Sequence, residues 1–67
     1  MSTQAAAAEI SSLTTALQEL ARRVTAIAER SAGTESDRLA QELFEVERAL
    51  GEALRRLSAV SQSLGSD

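Results

Sequence analysis

The sequence predicts an all-α fold: two amphipathic helices joined by a short turn, forming an antiparallel, coiled-coil-like hairpin. Three observations carry this reading. Apolar residues recur at alternating spacings of three and four along both halves of the chain. A glycine-containing polar break separates the halves. The composition also favours helix: Ala, Leu, Glu, Arg and Gln dominate, Pro is absent, and Phe44 is the single aromatic. No run of β-branched or aromatic residues offers a strand.

The first helix is expected over about residues 3–32. Ile10, Leu13, Leu17, Leu20, Val24 and Ile27 form an unbroken heptad pattern, with Ile10, Leu17 and Val24 at a and Leu13, Leu20 and Ile27 at d. Ala6 extends the stripe backward, and Ser2 or Thr3 can cap the start. The run Ala5 to Ala8 reads as fraying helix with no separate role.

The break is Ser31-Ala32-Gly33-Thr34-Glu35-Ser36-Asp37. Gly33 can end the first helix in the left-handed conformation. Thr34 can cap the second, with Asp37 in the place of the capping-box Glu. The turn is therefore expected at about residues 33–34, and a continuous rod is the competing arrangement. The second helix is expected over about residues 35–64. Leu43, Leu50, Leu57 and Leu64 fall at a, while Leu39, Val46, Ala53 and Val60 fall at d. Gly65 stands directly after the last Leu, where a terminating glycine belongs.

A hairpin centred on this turn brings the two stripes to a common beginning and end. It also sets Glu9 near Arg56, Arg23 near Glu42 and Arg30 near Glu35 at the g positions, each pair of opposite sign. The e flank is different. It holds Ala7, Thr14, Ala21 and Ala28 on the first helix, and Ala40, Glu47, Leu54 and Ser61 on the second; Phe44 and Gly51 lie beside it at b. An apolar flank beside an a/d stripe is the pattern of bundle helices. The expected partner interface is accordingly Ala21, Ala28, Ala40, Phe44, Gly51 and Leu54. Small residues there allow close approach, and Phe44 is either the anchor or a ring lying over its own helix against Arg48.

The chain has 67 residues and no Cys or His, so neither a disulfide nor a Cys/His zinc site can staple it. Chains this short lean on oligomerisation when those staples are missing. Pairing two hairpins as a homodimeric four-helix bundle is the simplest closed solution. A net charge of −3 disfavours non-specific nucleic-acid or anionic-membrane binding. Arg22-Arg23 and Arg55-Arg56 read as solvated pairs, because Glu19 and Glu52 precede them by three and four residues. Glu42, Glu45, Glu47 and Glu52 spread around their helix and have no His partner, so no metal or other cofactor is expected. With His, Cys, Lys and Tyr absent, the common general bases and activated nucleophiles are missing, and no enzyme activity is expected.

No apolar stretch is long enough to span a membrane, and no basic segment followed by an apolar core opens the chain, so a cytoplasmic location is expected. The function these features point to is a non-catalytic structural or adaptor module that binds itself or another helical protein. An accessory subunit of a hetero-complex is the alternative. A nucleic-acid-binding regulator using the Arg pairs is a more distant one.

Overall fold

The computed structural model describes residues 3–65. It contains two α-helices, α1 (Thr3–Ser31) and α2 (Asp37–Gly65), packed against each other along their length. The hairpin is slender, 51 × 14 × 14 Å. Ser2, one of the two expected caps, lies outside the described residues, and α1 begins at Thr3.

The turn occupies residues 32–36, longer than the expected 33–34, because its hydrogen bonds use more of the chain. The Ala32 amide completes the last α-helical bond to the Ala28 carbonyl at 3.0 Å. Gly33 then takes φ +75°, the left-handed conformation that stops α1. The Thr34 amide donates back to the Ser31 carbonyl at 3.3 Å, closing the reversal.

The Thr34 hydroxyl oxygen accepts from the Ser36 amide at 3.0 Å within the turn, but the cap position of the second helix falls to Ser36 and not to the expected Thr34, since the Ser36 carbonyl accepts the first α-helical bond, from the Ala40 amide at 3.1 Å. The Asp37 carboxylate reaches back across the turn and accepts from the Gly33 amide at 2.8 Å. The Asp37 amide bonds the Thr34 carbonyl at 3.0 Å, and regular α2 starts there. At the far end α2 runs through Gly65.

Packing in the hairpin is centred on one pair of small residues. Ala28 and Ala40 are the buried hydrophobics, at 0% and 1% exposure, and each lies three residues from the turn end of its helix. Around them the covered faces are the a and e positions. Ile10, Leu17 and Val24 at a, with Ala7, Thr14 and Ala21 at e, are half-buried on α1. Leu43, Leu50, Leu57 and Leu64 at a, with Glu47, Leu54 and Ser61 at e, are half-buried on α2. Positions a and e lie about 40° apart on a helical wheel, so together they make one narrow seam. No large side chain is fully buried among the described residues.

Polar groups at the seam bond within their own helix and, at Thr25, across the hairpin. Thr14 Oγ1 donates to the Ile10 carbonyl at 2.8 Å, spending its proton within its own helix. Thr25 Oγ1 lies within reach of the Ala21 carbonyl at 3.0 Å and of the Glu47 carboxylate across the hairpin. Its single proton serves one of them at a time.

Two substitutions test these backbone roles. Gly33→Ala forces a β-carbon into the left-handed region and should destabilise the hairpin by about 1–2 kcal/mol. Gly51→Ala should stabilise it by about 0.5–1 kcal/mol, since an added β-carbon at this mid-helix site would meet only the Arg55 guanidinium at 3.9 Å. Urea unfolding followed by circular dichroism reads both signs.

Candidate interaction surface

With a and e facing inward, d lies roughly 80° from the centre of the seam on each helix. Antiparallel helices carry matching heptad positions to the same side of a hairpin, so the d rows of α1 and α2 share one face. The exposures agree with this geometry. Leu13, Leu20, Ile27, Leu39, Val46 and Val60 are all d residues, and all are exposed, at 40–58%. Ala6 and Ala53, both half-buried, complete the two rows.

The opposite edge has another chemistry. Ser11, Thr14, Thr15, Ser58, Ser61 and Gln62, from positions b, e and f of both helices, line a groove of about 260 Å³ near the open end of the hairpin. This is smaller than the roughly 300–1,000 Å³ of small-molecule sites. The Thr14 and Thr15 hydroxyls donate to their own helix, to the Ile10 carbonyl at 2.8 Å and the Ser11 carbonyl at 3.2 Å.

The six residues expected to meet a partner fall largely within the hairpin itself. Ala28 and Ala40 are enclosed between α1 and α2, and Ala21, Gly51 and Leu54 are half-buried. Phe44, at b, is 36% exposed and sits on the hydroxyl-bearing edge, away from the d face. Its conceivable stacking partner Arg48 instead directs its guanidinium to Glu45, with Nη1 donating to Oε1 at 2.6 Å.

The g charges are also placed differently from the expected cross-hairpin pairs. Position g points well away from an a/e seam, so Glu9, Arg23, Arg30 and Glu42 rim the outer margins of the d face and do not bridge the helices. The ion pairs among the described residues run within single helices: Arg22 to Glu19, Arg48 to Glu45, and Arg56 to Glu52 at 3.7 Å. Two of these arise from the Glu-x-x-Arg-Arg spacing. The Arg22 hydrogen bond holds the Glu19 carboxyl below its ordinary value; it outweighs desolvation and is reinforced by attraction from Arg22 and Arg23. The same bond raises Arg22. A depressed carboxylate contributes above its unfolded pKa and loses that contribution as the pH falls through the folded one, so the small contribution of this exposed pair is present at neutral pH and lost in acid.

Among the described residues, no group of acidic side chains is arranged to hold a metal ion. No helix is long and apolar enough to cross a membrane. Compared with protein-family models, curated proteins and solved structures, the chain matches none, so its own geometry is the guide to what it does.

The packing of the small flank has a direct test. Ala28→Leu inserts a large side chain where nothing is exposed and should cost about 1–3 kcal/mol by forcing the helices apart. Leu13→Gln, on the open face at 58% exposure, should change the stability of the isolated hairpin by less than about 0.5 kcal/mol. Thermal unfolding of both variants at high dilution separates the two sites.

Proposed function

We propose that this chain is a non-catalytic protein–protein interaction module that associates with a second copy of itself through the d face. The observation that carries the reading is the row of six large apolar side chains left 40–58% exposed on one side of the hairpin. Scattered exposed apolar residues are ordinary, whereas a contiguous apolar face with a charged rim is the pattern of an interaction surface.

The geometry suits a four-helix bundle. Positions a and d lie about 60° apart on a helix, so stacking a second hairpin on the d face turns both rows toward a common centre. The e flank then serves the contact within a chain, and the g flank serves the contact between chains. This assignment reverses the roles expected for the two flanks. Its physical basis is that the small e residues are already consumed by the hairpin. The absence of His, Cys, Lys and Tyr supports a binding role in preference to catalysis.

Sedimentation and light scattering test the proposal. The mass should approach twice 7.1 kDa, and the thermal midpoint should rise with protein concentration, because assembly is linked to folding. Leu20→Glu, which sets a charge on the d face, should weaken association by about 2–4 kcal/mol. Phe44→Ala, on the opposite edge, should leave it within about 0.5 kcal/mol. A monomer whose melting is independent of concentration would sink the proposal. Loss of association on replacing Phe44 but not Leu20 would move the surface to the b edge.

A further inference from the structure

We propose that Ser58 is a phosphorylation site for a serine kinase that selects arginine, and that the fold closes the matching segment at Thr25. Both helices carry the same short series. Arg22-Arg23-Val24-Thr25 lies on α1 and Arg55-Arg56-Leu57-Ser58 on α2, each with guanidinium groups three and two residues before a hydroxyl. Two guanidinium groups at fixed spacing suit an acidic kinase cleft, because each forms charge-assisted bonds to a carboxylate. Spacing alone ranks the two segments equally, and the structure separates them.

The hydroxyls differ first. Thr25 is half-buried, and its Oγ1 lies between the Ala21 carbonyl, at 3.0 Å, and the Glu47 carboxylate of α2. Ser58 is exposed on the wall of the hydroxyl-lined groove, and its Oγ makes no hydrogen bond among the described residues. The arginines differ in the same sense. Arg22 is held by Glu19 through two hydrogen bonds, one of them from Nε to Oε1 at 3.1 Å. Arg55, its counterpart, makes no ion pair among the described residues, and Arg56 reaches Glu52 only at 3.7 Å. The guanidinium groups of α2 can therefore pass to a kinase at little cost, whereas Arg22 must first give up a bidentate partner.

Position along the hairpin adds a third difference. A kinase takes its substrate as extended chain, so an acceptor on a helix must unwind first. Ser58 stands about two turns before the end of α2, at the open end of the hairpin, where no described side chain is fully buried. Thr25 is three residues from Ala28, which is 0% exposed. Presenting Thr25 means parting the tightest contact between the helices, while presenting Ser58 needs only local opening of a helix end.

In the transfer, Ser58 Oγ attacks the γ-phosphorus of a nucleoside triphosphate. The Oγ–P bond forms as the bond from that phosphorus to the bridging β-phosphate oxygen breaks; the hydroxyl proton passes to the kinase's base, and the nucleoside diphosphate leaves. The new group brings up to about two negative charges to the helix, with Arg55 one turn back on the same face. Ser58 is at b, on the edge opposite the d face, so the modification is independent of self-association.

The full chain, incubated with magnesium, ATP and a purified kinase of this arginine selectivity already shown to be active on an unstructured Arg-Arg-Leu-Ser peptide, tests the assignment by mass-spectrometric site mapping. Ser58 should take one phosphoryl group at least about tenfold faster than Thr25, because only the open end frays readily. Ser58→Ala should remove most of the incorporation and Arg55→Gln should slow it, with circular dichroism confirming that both variants remain as helical as the parent. No incorporation, modification of Thr25 as fast as Ser58, or full incorporation in the Ser58→Ala variant would overturn the assignment. None of these outcomes bears on whether the chain self-associates.

Discussion

The close packing of the small α1 flank against α2, tightest at Ala28 and Ala40, is the constraint on which the rest of this structure depends. Ala28 and Ala40 are enclosed completely, and Ala7, Ala21, Thr14 and Ser61 continue the same flanks. At the turn end these side chains do not hold the helices apart, so the backbones can come close there, while Glu47 and Leu54 fill the same flank of α2 further along. Dispersion favours this arrangement, because contact energy falls quickly with even a small radial gap. Choosing the e flank fixes the rotation of both helices about their axes, and the rotation decides what is left outside: the d rows, with the g charges at their margin.

Much of the fold is legible in the sequence because it rests on local chemistry. The two periodic segments, the break between them, the left-handed Gly33 and the turn hydroxyl of Thr34 each depend on the residue itself or on neighbours within four positions. The rotation is not legible in the same way. A heptad pattern that is apolar at a, d and e contains two possible seams, a with d and a with e, and spacing alone ranks them equally. Only the relative size of the d and e side chains separates them, and that comparison belongs to packing rather than periodicity. An a/d seam leaves the small flank free for a partner, which is why the pattern points to Ala21, Ala28 and Ala40 as an outward surface. Smallness is instead what draws these residues into the hairpin.

The g charges illustrate how complementarity can mislead. Glu9 with Arg56 and Arg23 with Glu42 are of opposite sign, which agrees with a contact across the hairpin. The same agreement arises between two copies, because each helix repeats the same order of acid, alanine and arginine. A pattern shared by both helices carries no information about which helix meets which. Exposed pairs of this kind are also too weak, typically under about 1 kcal/mol, to override the packing of several leucines. The apolar contacts set the arrangement, and the charges can at most choose among arrangements the apolar contacts allow.

Apolar area also decides between the two edges of the hairpin as places for a partner. On the b edge, Phe44 is already about two-thirds covered, Gly51 adds no side chain, and the open end is lined by Ser and Thr hydroxyls. Binding there would remove little further apolar area from water and would require several hydroxyls to be desolvated. On the d edge, six large side chains expose 40–58% of their surface. The hydrophobic driving force scales with apolar area removed from water, at about 25 cal/mol per Å². It is therefore concentrated on the d edge. A closed bundle formed there would also complete the covering of the a residues that one hairpin leaves half-buried, so the stability of each chain and its association would rise together.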